Sequence, residues 1–218
     1  MREHNFIGLR GTMRLFFLIF FFCLATGAAW AESPRECVQE IGNAIENADQ
    51  ALFLRKVDLD ALIHEGVNVF LAEANKPHNR KNMQPMLAIL LQQAASNEGA
   101  GNAMRTLLFQ ETRAFVLNGI RTGAFAGRKV PNAQKEGLLA PLFANASMGR
   151  KEIVQIAAGQ PTENGTIVPF TILDDGNGLE YPIDGLVQEG PQGLRLTKIL
   201  NFQDLMRRIQ EEATQWEE

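Results

Sequence analysis

The feature that most constrains this chain is a change of hydrophobic period near residue 150. Before it, apolar residues recur at helical spacing; after it, they alternate. Residues 33–146 therefore read as helices and 151–200 as strands, with a last helix over 202–216. Ser33-Pro34-Arg35-Glu36 fits a capping box, with proline at the first helical position. Val38, Ile41, Ala44, Ile45, Ala48 and Leu52 continue one stripe from it. A break is expected near Asp58, which can cap a second helix with Val57 and Leu62 as its hydrophobic staple. That helix carries Leu59, Leu62, Ile63, Val67, Phe70 and Leu71 on one face. Residues 75–82 read as a polar loop, and Pro85 opens a third helix through Ser96. Residues 97–101 read as a loop, after which Asn102 caps a fourth helix with Met104, Leu107, Leu108, Phe115, Val116 and Ile120 on its stripe. Gly123 to Gly127 interrupts it, and a shorter helix follows around 133–146.

The second half carries four strand patterns: Ile153–Ala158, Thr166–Leu173, Leu179–Val187 and Leu194–Leu200. The connections Glu163-Asn164-Gly165, Asp174 to Gly178 and Glu189 to Gly193 are short and glycine-rich, as in hairpins. Pro169 and Pro182 lack an N–H and belong at an edge or a bulge. Asn201 is placed to cap the last helix, with Phe202, Leu205, Met206, Ile209, Ala213 and Trp216 on its stripe. The expected class is α+β: a helical N-terminal half on one face of a four-stranded antiparallel meander, closed by a C-terminal helix.

The amino terminus reads as a secretory signal. Arg2, Arg10 and Arg14 precede the apolar run Leu15–Ala25, and Ala29-Trp30-Ala31 supplies a small-residue cleavage site. Cleavage is expected between Ala31 and Glu32, which leaves a single α+β domain over 32–218 and an exported protein, periplasmic in a Gram-negative source. Membrane attachment would come only through an uncleaved signal segment. Cleavage removes three arginines and Glu3. Lys+Arg falls from 21 to 18, Asp+Glu falls from 25 to 24, and the net charge moves from −4 to −6. Such acidity argues against nucleic acid and anionic membrane surfaces as partners. Cleavage also removes Cys23, so Cys37 has no intramolecular partner and reads as a buried apolar residue of the first helix.

Motifs for chemistry are sparse. His64 falls off its helix's apolar stripe, His78 lies in a polar loop, and neither has a ligand at metal spacing. Asp174-Asp175-Gly176-Asn177-Gly178 lacks calcium-loop spacing and reads as a hairpin turn. Gly99-Ala100-Gly101 fails as a dinucleotide fingerprint, and Gly123–Lys129 fails as a phosphate loop, leaving a helix break with a solvated basic tip. No catalytic residue, metal site or cofactor is nominated.

The order of elements carries a resemblance. Leading helices and a meander ending in Gly193-Leu194-Arg195-Leu196-Thr197-Lys198-Ile199 resemble the cone-shaped fold of nuclear-transport-factor-two-like proteins, also called cystatin-like or ketosteroid-isomerase-like. Asp49 to Leu62 (DQALFLRKVDLDAL) looks like the early helices of exported members of that group. The layout from Leu194 to Gln215 is also similar to the end of periplasmic phospholipid-carrier proteins. The resemblance implies a sheet curled over helices around an apolar pocket, with Phe70, Phe115, Val168, Phe170, Leu194 and Leu196 as candidate lining. The expectation is an exported, non-catalytic protein holding a lipid or small apolar molecule. The alternatives are an assembly module that dimerises through its outer sheet face, and an isomerase- or hydratase-like enzyme with a buried carboxylate. Pocket lining and core filling share one composition, so the residues themselves leave the choice open.

Overall fold

Ser33 opens the first helix in the way its sequence predicts. In a computed structural model, which describes residues 32–74, 76, 99–130 and 149–215, α1 spans Pro34–Glu46. Ser33 Oγ accepts from Glu36 N at 3.2 Å, and Ser33 N donates to Glu36 Oε2 at 2.7 Å. The expected signal peptide, the helices at 85–96 and 133–146, most of the polar loop, His78 and Trp216 lie outside the described residues.

The stripe expected to run unbroken to Leu52 is two helices. The Asn47 amide donates to Asn43 O at 2.8 Å, and Ala48 takes a left-handed φ of 57°. Asp49 Oδ1 then accepts from Leu52 N at 2.9 Å and starts α2, Gln50–Lys56. A left-handed step ends one helix and an aspartate cap starts the next, although the apolar periodicity continues across both. Asp58 caps α3 (Leu59–Ala74) through Ala61 N, with Val57 buried and Leu62 half-buried beside it.

α4 spans Gly99–Arg121, so it begins before Asn102, and Gly99–Gly101 is helix where a loop is expected. Asn102 lies in its first turn, and its carbonyl accepts from Thr106 Oγ1. Gly101 is buried within this helix, so it does not make a chain reversal there. α3 and α4 pair antiparallel through three rungs. Arg113 Nε lies 2.8 Å from Asp60 Oδ1, the Phe109 ring stacks on His64 at 4.2 Å, and Arg105 Nη1 donates to Asn68 Oδ1 at 2.9 Å. The rungs fall every fourth residue on both helices, the spacing that keeps side chains on one face. Gly123, at φ 73°, ends α4, and a 3-10 turn over Ala124–Ala126 buries Phe125.

The strands are β1 (Lys151–Val154), β2 (Gln160–Thr162), β3 (Gly165–Asp174), β4 (Leu179–Gly190) and β5 (Gly193–Ile199). They form one antiparallel sheet in the order β1-β3-β4-β5, with β2 also paired to β3. All four expected strands are present, and β2 is additional. At three residues it is too short to show alternation. The expected strand Ile153–Ala158 ends at Val154 because Gln155 takes φ 52°. Five residues, 155–159, then face three of β3, 168–170. Pro169 sits opposite this irregular stretch. Its carbonyl accepts from Ala157 N at 2.9 Å, so its nitrogen faces the same side, where no N–H is needed.

Pro182 sits where β5 has ended. There the Asn201 side chain takes over: Nδ2 donates to Pro182 O and Oδ1 accepts from Asp184 N, each at 2.9 Å. Asn201 therefore does not spend its side chain on capping α5 (Phe202–Gln215), as its sequence position suggests. Asp174–Gly178 is the predicted hairpin turn, with Gly176 N donating to Asp174 Oδ1 and Gly178 N to Asp174 O.

Burial alternates along β3 and β4, so one sheet face joins the helices in a shared core. Val168, Phe170, Ile183, Val187 and Leu196 meet Cys37, Val38, Ile41, Phe53, Ile63 and Ile120. Cys37 is fully buried and donates to Leu194 O at 3.3 Å. The fold is α+β, as expected. No described helix is long and apolar enough to cross a membrane.

Candidate functional site

The six residues expected to line an apolar pocket mostly share the core. Val168, Phe170 and Leu196 are 0%, 4% and 5% exposed within it. Phe115 and Leu194 are half-buried against it, with Phe115 edge-on to Phe125 at 5.7 Å. Phe70 is half-buried on α3 and is not among the residues that form this core.

A concave site lies elsewhere, between α1 and the edge strand β1. It is a cleft of about 320 Å³, and none of the six lines it. That volume falls at the small end of the roughly 300–1,000 Å³ typical of ligand sites. One wall is a stripe of α1: Arg35, Gln39, Gly42, Asn43 and Glu46. These positions face away from the buried Cys37, Val38, Ile41 and Ala44, so the helix is apolar inward and polar toward the cleft. The other wall is β1 and its continuation, from Arg150 to Ile156. Gly42 seats the helix on the strand. A β-carbon at Gly42 would lie 3.5 Å from Ile153 Cβ, an ordinary contact distance.

The charges in the cleft are mostly matched. Arg150 Nη2 lies 3.3 Å from Glu46 Oε1 and 3.4 Å from Glu152 Oε2. Lys151 Nζ lies 2.8 Å from Asp174 Oδ1 and 5.6 Å from the Phe125 ring centre. Burial pushes the Lys151 ammonium below its ordinary range, and the bond to Asp174 draws it partly back. Arg35 is exposed and has no ion pair among the described residues. The cleft therefore presents amides, one spare cation and strand main chain, a surface suited to polar recognition.

Two other polar clusters have structural explanations. Arg195 Nη2 donates to Val57 O at 3.0 Å and Leu54 O at 3.4 Å, tying the end of α2 to β5. His64 is exposed, as expected, and serves as a rung between α3 and α4. Among the described residues no three His, Cys, Asp or Glu side chains gather as a metal-binding group.

The cleft had little signal in sequence. Its α1 wall is the polar complement of a readable apolar stripe, but every amphipathic helix has such a face. Comparison with protein-family models, with curated proteins and with solved structures gives no match.

Proposed function

We propose that this chain is an exported, non-catalytic binding protein whose ligand site is the polar cleft between α1 and β1. The observation that carries this reading is the pairing of a polar helix stripe, Arg35 to Glu46, with β1, the strand at one end of the described sheet order, across a cleft. The basic, apolar and small-residue order of residues 1–31 supports export. An apolar ligand among Phe70, Phe115, Val168, Phe170, Leu194 and Leu196 has less support, because three of the six are enclosed by core neighbours. The element order supports kinship with nuclear-transport-factor-two-like proteins at the level of layout alone.

Site-specific photo-cross-linking tests the cleft. A benzophenone side chain replaces Gln39, within the cleft, or Gln110, exposed on α4. In cells of the source organism, a discrete adduct at position 39 and none at 110 is expected. Equal labelling at both positions, or none at 39, would sink the reading.

A second reading, self-association, has the outer sheet face in its favour. Ile167 of β3 and Leu186 of β4 are paired there, opposite the core side. Sedimentation should then show a dimer that Leu186→Glu dissociates.

A further inference from the structure

Asparagine precedes glycine at three places in this chain: Asn118-Gly119 on α4, Asn164-Gly165 between β2 and β3, and Asn177-Gly178 between β3 and β4. Such a step can modify itself. The glycine main-chain nitrogen attacks the asparagine Cγ, and no β-carbon on the glycine obstructs the approach. A bond forms between that nitrogen and Cγ, the Cγ–Nδ2 bond breaks, and Nδ2 leaves as ammonia with the proton from the glycine nitrogen. Water then opens the five-membered imide. Addition at Cγ gives aspartate, and addition at the main-chain carbonyl gives isoaspartate.

The fold treats the three steps differently. Asn118 lies within α4, its Oδ1 accepts from Arg121 Nη2 at 2.8 Å, and its carbonyl accepts from Thr122 Oγ1 at 2.7 Å. Asn177 is held at both ends of its amide: Nδ2 donates to the Tyr181 hydroxyl at 2.7 Å, and Oδ1 accepts from Leu179 N at 3.0 Å. Asn164 is exposed, and its two hydrogen bonds among the described residues use main-chain atoms. Its side-chain amide is therefore able to swing toward Gly165 N.

Gly165 is fixed by the fold. Its φ is 135°, and a β-carbon there would lie 2.5 Å from Val187 O, so no larger residue can slow the attack. Gly165 pairs with Thr162 at the tip of a short ladder. All three residues of β2 are exposed, and Pro161 has no N–H to add a bond. A ladder end with so little burial opens at low cost and frees the Gly165 nitrogen.

We propose that Asn164 is a site of spontaneous deamidation in the folded protein, and that the isoaspartyl product releases β2 from β3. The isoaspartyl link runs the main chain through Cγ and adds one methylene to a two-residue turn. The Thr162–Gly165 and Gln160–Ile167 pairs then lose their register. The Asn164 carbonyl, which accepts from Gln188 Nε2 at 2.6 Å, becomes a free carboxylate. Pairing among β1, β3, β4 and β5 does not involve this turn and stays.

The protein is aged in warm, mildly alkaline buffer, digested under acidic conditions and mapped by mass spectrometry. Fragment ions separate aspartate from isoaspartate. Asn164 is expected to convert about tenfold or more faster than Asn177 or Asn118, whose hydrogen bonds have to open first. In concentrated urea the three rates should converge, because all share the same dipeptide. Equal rates in the folded protein, a faster Asn177 or Asn118, or the same ranking in urea overturns the assignment. The isoaspartyl form is then purified by ion exchange. Its Ile167 N–H should exchange about tenfold or more faster than in fresh protein. Asn164→Asp adds the charge without the methylene and should leave that exchange slow. Unchanged Ile167 exchange in the isoaspartyl form overturns the release of β2.

Discussion

Asn201 holds Asp184: its side-chain Oδ1 accepts from Asp184 N at 2.9 Å, and its Nδ2 reaches Pro182 O at the same distance. The amide stands in for two residues of a strand that β5 does not supply. Leu200 N donates to Asp184 O at 2.8 Å just before it, so the chain leaves the ladder through Asn201 and enters α5 directly. Asn201→Ala strands two main-chain groups of β4. Urea unfolding should show a loss of about 1–3 kcal/mol with an unchanged denaturant slope. A loss no larger than that of an exposed substitution would mean water replaces the amide fully.

Two glycines predict opposite signs for one substitution. Alanine ordinarily favours a helix interior over glycine by about 0.5–1 kcal/mol. At Gly42 the new β-carbon would meet Ile153 at 3.5 Å, ordinary contact, so Gly42→Ala should stabilise by about that amount. At Gly119 it would come within 2.4 Å of the Phe125 ring, which is buried. Gly119→Ala should therefore destabilise, by roughly 1–3 kcal/mol as overpacking does. Thermal melts of both variants check the pair, and a shared sign would contradict the packing described.

The three rungs between α3 and α4 are unequal. Arg113–Asp60 is an ion pair with side chains 39% and 59% exposed, and such pairs contribute about 0–1 kcal/mol. Phe109 stacks on His64 and also packs against the core. Phe109→Ala should cost several times more than Arg113→Ala, about 2–4 kcal/mol. High salt should erase most of the Arg113 effect and little of the Phe109 effect.

These cases show how far the sequence could be read. Periodicity located α1, α3, the four main strands and the class, because alternation and helical stripes follow directly from which side faces the core. It missed the break at Asn47–Asp49, where a left-handed Ala48 interrupts a stripe that continues on both sides. It misjudged Asn201, whose type suits a helix cap but whose partners are on β4. Five of the six expected pocket residues lie in or against the core, and sequence could not distinguish this, since Val168 or Leu196 would look the same against a ligand. The cleft depends on where α1 lies against β1, more than a hundred residues away in the chain, and no local pattern encodes that placement.

Lys151 gives a pH dependence whose sign is fixed. Burial lowers its affinity for a proton in the folded protein, and Asp174 and then Asp175 offset part of that loss. The unfolded chain binds the same proton with the ordinary lysine value near ~10.4. Between the lowered folded value and that one, the unfolded state holds more protons, so stability from this group rises with pH. Below the folded value the cost of the buried ammonium is fully present. Urea unfolding as the pH rises toward the ordinary lysine value should show the rise in the wild type and a flatter profile in Lys151→Met. At neutral pH the same variant leaves Asp174, with a side chain 8% exposed, without its ammonium partner. Lys151→Met should thus be less stable there than the double variant Lys151→Met/Asp174→Asn, because removing both charges costs less than isolating one. An unchanged alkaline profile in Lys151→Met would show that another group sets it.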